Sequence, residues 1–131
     1  KYVQGNYSYA LTLAQKTLSL FEKIQDKQGV STTLNTISFV YDDQGNYPLA
    51  LEYYQKSLKI REEIRDKHGV SGSLNNIGLI YHNQGNYPLA LEYYKKSLKI
   101  KEEIGDRRGV SSTLHNIGLI YYNQDNYPLS L

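Results

Sequence analysis

Twenty residues, Asn75 to Tyr94, read NNIGLIYHNQGNYPLALEYY and return along the chain at a period of 40. The forward copy is HNIGLIYYNQDNYPLSL, and the copy before it is NTISFVYDDQGNYPLALEYY. One copy earlier only the second half survives, as QGNYSYALTLAQ. Residues 44–83 and 84–123 align without gaps. They differ at Gln55/Lys95, Arg61/Lys101, Arg65/Gly105, Lys67/Arg107, His68/Arg108, Gly72/Ser112, Ser73/Thr113, Asn75/His115 and His82/Tyr122. A fixed period of this size means stacked copies of one supersecondary unit, each too small to bury its apolar face alone. The nine differences are therefore expected on solvent-facing or groove-facing positions, with the core untouched.

The 131 residues suffice for a domain-sized core. No apolar run approaches the roughly 18 residues of a membrane span. A net charge of +2 is too weak to imply nucleic acid or acidic lipid. With no cysteine, the chain holds no disulfide, thiol nucleophile or zinc–thiolate site. It opens at Lys1 and closes at Leu131 in mid-motif, which reads as a fragment of a longer repeat protein, 1–131 forming one array. A cytoplasmic location is expected.

Apolar residues recur at helical spacing throughout: Tyr7, Leu11, Ala14, Leu18, Phe21 and Ile24; Val30, Leu34, Ile37 and Tyr41; Tyr47, Ala50, Leu51, Tyr54, Leu58 and Ile64; Val70, Leu74, Ile77 and Tyr81; Val110, Leu114, Ile117 and Tyr121. Steps mostly of three and four place each set on one helical face. Asp26, Asn46 and Asp66 read as N-caps, Pro48 suits a first turn, and Gly45 and Gly85 suit left-handed positions after a helix. Gly105-Asp106 repeats that punctuation. The spacing predicts helices at about 7–25, 27–43, 47–65, 67–83, 87–104 and 107–123, with partial helices at 1–3 and 127–131. Gln4-Gly5-Asn6 reads as a turn. Asp125 stands where Gly5, Gly45 and Gly85 stood, at an expected cost of about 1 kcal/mol in a left-handed conformation. The fold class is all-α, with no strands.

In the central copy the pattern is Leu74, Ile77-Gly78, Tyr81, Gly85-Asn86-Tyr87, Ala90, Tyr94 and Ser97-Leu98. In the copy before it, the pattern is Leu34, Ile37-Ser38, Tyr41, Gly45-Asn46-Tyr47, Ala50, Tyr54 and Ser57-Leu58. The chain resembles the tetratricopeptide repeat (TPR) family over its whole length. The resemblance implies an α-solenoid of antiparallel helix pairs, the TPR superhelix. The period of 40 departs from the common 34. It is similar to the long-helix repeats of kinesin light chains, of spindle-orientation adaptors and of bacterial signalling arrays. Small residues at Ala50, Gly78, Ala90 and Gly118 fall where paired helices approach most closely.

The resemblance also implies a groove lined by the first helix of each pair. Carried over, the groove positions are Thr32, Asn35, Thr36, Phe39, Asp42 and Asp43 in the first full copy. In the central copy they are Gly72, Asn75, Asn76, Leu79, His82 and Asn83, and in the last Ser112, His115, Asn116, Leu119, Tyr122 and Asn123. Helical geometry puts the central six on one face, opposite Leu74, Ile77 and Tyr81. Asn76 and Asn116 stand out, because an amide offers a donor and an acceptor together and can clamp a peptide bond. Phe39, Leu79 and Leu119 form an apolar stripe beside them, a common mark of an interaction site. Both sets have a plainer reading, in which the amides bond neighbouring helices and the stripe is buried between them.

Other chemistries find little support. The groove positions hold no Lys or Arg, so the carboxylate clamp of chaperone-binding TPRs is absent. Lys56, Lys59, Arg61, Lys96, Lys99 and Lys101 alternate with Glu on second helices and read as a solvated face rather than a nucleic-acid surface. His68, His82 and His115 lack i,i+4 partners, and only an approach of His82 to His115 could bring two together; no metal or other cofactor is expected. Asn6-Tyr7-Ser8 matches a glycosylation sequon, relevant only to a secreted protein. No nucleophile–base grouping or phosphate loop appears, so the chain is not expected to be an enzyme. The expected function is a scaffold that binds a protein or peptide, as an extended strand or a helix, in the groove. The alternative is a self-associating module that stacks head to tail or dimerises, acting as sensor or spacer for an output domain elsewhere.

Overall fold

The structure, a computed structural model, describes residues 2–125. Six helices follow in order: α1 (Tyr2–Lys23), α2 (Lys27–Asp43), α3 (Tyr47–Glu63), α4 (Lys67–Asn83), α5 (Tyr87–Glu103) and α6 (Arg107–Asp125). No strand occurs among the described residues, and consecutive helices pack in pairs. The chain divides into two compact units, Lys1–Asp66 with α1 to α3 and Lys67–Leu131 with α4 to α6.

The turns follow from their residues. Asp26 accepts the Gly29 N–H at 3.0 Å and Asp106 that of Gly109 at 2.9 Å, each satisfying a donor the helix start leaves open. Asn46 and Asn86 cap α3 and α5, with proline in the first turn of each. Gly45 and Gly85 take φ of 80° and 79°, which stops the preceding helix and lets the chain reverse.

Two turn expectations are corrected. Gln4-Gly5-Asn6 forms no turn, and α1 runs through it. Ser8 stands where Pro48 and Pro88 stand, so the backbone N–H that proline lacks is available and the helix need not restart. The expected break between 1–3 and 7 is therefore absent. At the other end, α6 continues to Asp125, which stays helical rather than left-handed. An aspartate leaves the right-handed region less readily than glycine. The helix expected at 127–131 lies outside the described residues.

In the first unit the core comprises Ala14 of α1, Leu34, Ile37 and Val40 of α2, and Ala50, Tyr54 and Leu58 of α3. Ile24, expected on the buried face, lies past the end of α1 and is 70% exposed. In the second unit Val70, Leu74, Ile77 and Ile80 of α4 are buried, with Ala90 and Tyr94 of α5 and Ile120 of α6. Leu114 and Tyr121, the α6 counterparts of Leu74 and Tyr81, are exposed. The first helix of a pair thus has two buried faces. Val40, Ile80 and Ile120 occupy the second face, which a single-stripe reading misses.

Backbone approach within a pair is close. A Cβ on Gly78 would sit 2.7 Å from the Tyr94 ring, so no side chain fits unless that ring moves. The Ser38 hydroxyl, at the matching position of α2, instead donates to the Ala50 carbonyl at 2.7 Å. Further along each pair, Ser57 donates to the Ser31 carbonyl at 2.9 Å and Ser97 to the Ser71 carbonyl at 2.7 Å. A Cβ on Gly118 meets nothing among the described residues.

Candidate functional site

The second unit brings predicted positions of α4 and α6 together. Asn123 Nδ2 lies 3.2 Å from His82 Nε2, and Thr113 Oγ1 lies 3.5 Å from Asn75 Oδ1. Helical geometry dictates both junctions. His82 and Asn75 are seven residues apart, so they point to the same side of α4, where α6 lies.

His82 is half-buried. Its Nδ1 lies 3.4 Å from the Tyr94 hydroxyl. Its ring meets those of Tyr87 and Tyr94 edge-on, at centroid separations of 5.7 and 6.3 Å. Burial lowers its proton affinity below the ordinary histidine range. Burial likewise pushes the Tyr94 phenol up to about 12. The histidine is held by Tyr94 and Asn123 rather than by His115, which is exposed. No group of three or more potential metal ligands occurs among the described residues.

Asn75 is half-buried at the end of a chain of polar contacts. Lys101 Nζ donates to Thr113 Oγ1 at 3.0 Å, which leaves the threonine proton for Asn75 Oδ1. Lys101 is only 7% exposed, so the expected solvated face does not include it. Burial lowers its pKa, and the Asp106 carboxylate opposes that shift. Thr113 is fully buried. Two of the nine differing positions therefore fall in the interior, against expectation, and in this unit they contact each other. The signal was the sequence difference itself: Arg61/Lys101 and Ser73/Thr113 change together between copies.

Asn76 and Asn116 are both half-buried, and neither side chain makes a hydrogen bond among the described residues. Leu79 is half-buried against the Ala90, Tyr94 and Ile120 cluster. Leu119 is exposed, Tyr122 is 62% exposed and Asn83 is exposed.

The first unit presents a different face on α2. Phe39 is 63% exposed. Thr36 stands where Asn76 and Asn116 stand, and its hydroxyl returns to the Thr32 carbonyl at 3.3 Å. Asn35 is half-buried, with its Oδ1 fully enclosed and unbonded among the described residues. Asp42 has its pKa raised by burial, then by the neighbouring Asp43 carboxylate. Asp43 accepts a hydrogen bond from the Tyr7 hydroxyl at 2.6 Å. Burial pushes Tyr54 up to about 12, with Asp42 adding to the shift and Arg61 opposing it.

The second helices carry a separate pattern. Tyr53 stacks on Tyr41 and Tyr93 on Tyr81, with Lys56 and Lys96 over the outer rings at 4.9 and 5.0 Å. Lys56 also pairs with Glu52 and Lys96 with Glu92. Glu63 pairs with Lys27 at 3.6 Å. Two clefts of about 460 Å³ are lined by other residues than the predicted groove. One lies at Lys101, Gly105, Arg107 and Val110, the other at Leu18, Val30, Leu34, Tyr53 and Ile60.

The family model of the tetratricopeptide repeat matches residues 1–63 and again 70–131. The chain belongs to the tetratricopeptide repeat family. Among solved structures it is similar to BtubC (BKLC) from P. vanneervenii, with a TM-score of 0.83 and 22% identity over 94% of this chain and 51% of that one. It therefore spans about half the length of BtubC. It is also similar to the N-terminal domain of stress-induced protein-1 (STI-1) from C. elegans, with a TM-score of 0.54 and 15% identity over 82% of this chain and 95% of that one. At these identities the likenesses establish the fold alone. No curated protein matches the sequence. Tetratricopeptide repeats generally mediate protein–protein interaction and are typically non-catalytic. No helix among the described residues is long and apolar enough to cross a membrane.

Proposed function

We propose that this TPR chain is a non-catalytic scaffold, and that the α4–α6 face of its second unit receives an extended peptide. One observation carries the reading. Asn76 and Asn116 hold their amides free of hydrogen bonds among the described residues, while Asn75 and Asn123 beside them are engaged. A free, half-buried amide has lost part of its hydration without gaining a partner, and a peptide bond supplies both a donor and an acceptor. Leu79 and Leu119 add apolar contact for alternate side chains. A surface fixed by helix packing loses little entropy when a ligand binds.

The test is binding of a positional-scanning decapeptide library to the wild type and to a variant with Asn76→Ala and Asn116→Ala. The expected result is a roughly thirtyfold loss, about 2 kcal/mol for the amide pair. Equal affinity removes the amides from the mechanism. Self-association is the second reading. A strict monomer in light scattering over a concentration series excludes it.

A further inference from the structure

We infer that His82 sets which half of the Asn123 amide the α4–α6 face offers to a partner: the carbonyl oxygen while the imidazole is neutral, the NH2 once it is protonated. This rests on the reading of that face as a peptide-docking surface and specifies its hydrogen-bond polarity.

The arrangement around the ring favours one neutral tautomer. Asn123 meets Nε2 of His82 with its Nδ2, at 3.2 Å. An amide NH2 only donates, so Nε2 carries the lone pair and the imidazole proton sits on Nδ1. There it faces the Tyr94 hydroxyl at 3.4 Å, which accepts it. With NH2 committed to the histidine, Oδ1 is the half of Asn123 left for a partner, and it pairs with a donor such as a backbone N–H.

Protonation reverses this. A second proton on Nε2 sets two donors against each other. The imidazole has little freedom to turn away, because Tyr87 and Tyr94 pack edge-on against it at 75° and 82°. The small movement that relieves the clash is a half-turn of the Asn123 amide, which brings Oδ1 to the new N–H and turns NH2 outward. The face then pairs with a carbonyl. Among the described residues, His82 contacts Tyr87 and Tyr94 from α5 and Asn123 from α6, with Tyr81 next to it on α4. No carboxylate or cation adds to its shift, which comes from burial. Tyr94 stays neutral across the relevant range. The change therefore falls on the acid side of the ordinary histidine midpoint. Neither other copy repeats the device, since Asp42 and Tyr122 hold the matching positions.

The experiment has two arms on the whole chain. In the first, 15N NMR of the histidines in the free protein reads tautomer and titration, with the exposed His68 and His115 as internal references. The expected result at pH 7.5 is an Nδ1–H tautomer for His82, and Asn123 side-chain resonances that shift at the His82 midpoint. An Nε2–H tautomer, or Asn123 resonances indifferent to that titration, overturns the inference. The second arm scans the decapeptide library with N-methyl residues, which remove one backbone donor at a time, at pH 7.5 and pH 5. At the position facing Asn123, N-methylation is expected to weaken binding about fivefold at the higher pH, the worth of one hydrogen bond. That penalty should disappear at the lower pH, and should not vary with pH in His82→Tyr, a residue the next copy already carries. A pH-independent penalty in the wild type overturns the inference while leaving the docking face intact. Failure of every peptide to bind removes the docking reading, and the NMR arm still decides the switch.

Discussion

The pair α2–α3 in the first unit and the pair α4–α5 in the second share a packing scheme and differ in what they do with it. Ala50 and Ala90, Tyr54 and Tyr94, and Ser57 and Ser97 are buried alike. Where α4 has Gly78 pressed against the Tyr94 ring, α2 has Ser38 bonded across to the Ala50 carbonyl. Where α4 has Asn76 and His82, α2 has Thr36 and Asp42. The matched core shows which residues the helix pair requires. The mismatched face shows where one pair can differ from the other without disturbing that core.

The largest expected effect breaks the core half of that comparison. Gly78→Leu should destabilise by about 3 kcal/mol or more, because the added side chain must displace Tyr94. Gly78→Ser should cost less than about 1 kcal/mol if the two pairs are interchangeable, since Ser38 already fits the matching site. Urea denaturation separates them, and equal midpoints for Leu and wild type would sink the close-packing assignment.

Next comes Ser38→Gly. It removes the buried hydroxyl bond to Ala50 and adds helix flexibility, for a loss of about 2 kcal/mol. A neutral result would mean the hydroxyl only fills space.

The turn position 25/65/105 sharpens the comparison at smaller scale. Gln25 and Arg65 adopt φ of 57° and 59°, where the third copy has Gly105 at 73°. Arg65→Gly should stabilise by up to about 1 kcal/mol, less the entropy glycine adds to the unfolded chain, and Gly105→Ala should destabilise by a similar amount. A loss of stability in Arg65→Gly would show that the arginine side chain outweighs its strained backbone.

The smallest effects are those of pH. Asp42 has a raised folded pKa, so its contribution is present below the ordinary carboxylate value of 3.8 and is lost as pH rises through the folded value. Asp42→Asn should therefore raise the thermal midpoint at pH 7 and not at pH 3. His82 has a lowered folded pKa, so its contribution is present above 6.5 and is lost as pH falls through the folded value. Acidification from pH 7.5 to 5 should lower the wild-type midpoint by more than that of His82→Tyr. Both groups are partly solvated, and the shifts should be modest. Opposite signs at Asp42 and His82 under one acid titration would place their environments on the same footing.

Much of this architecture was legible in the sequence because it repeats. Three copies of Leu-x-x-Ile and four of Gln-x-Asn-Tyr mark helices and turns more firmly than any single segment could. Position 5 misled for the same reason. Gly5 looked like Gly45 and Gly85, but the helix break also needs the proline three residues on, and Ser8 does not supply it. The second buried face of the first helices was hidden because it alternates small polar residues, Thr33, Ser73 and Thr113, with Val40, Ile80 and Ile120. Of the residues expected in a groove, Asn75 and His82 both meet α6, as their seven-residue spacing allows. Spacing could not say that Thr113 and Asn123 would occupy their polar atoms, because that depends on which helix comes alongside. The Glu-rich surroundings of Lys101 point to solvent, whereas its bond to the interior Thr113 holds it inside.

The serine bonds within each helix pair have a bearing on how such a chain is made and inherited. Ser38 reaches a partner 12 residues away, and Ser57 and Ser97 reach partners 26 away. Every one of these spans fits inside a single 40-residue period. A nascent chain can complete a pair as soon as its second helix is synthesised, without waiting for distant sequence. A duplication or deletion of one period in the gene carries the complete set of pairing bonds with it. The array can lengthen or shorten without any pair losing its own fastenings, while the residues outside those bonds diverge copy by copy.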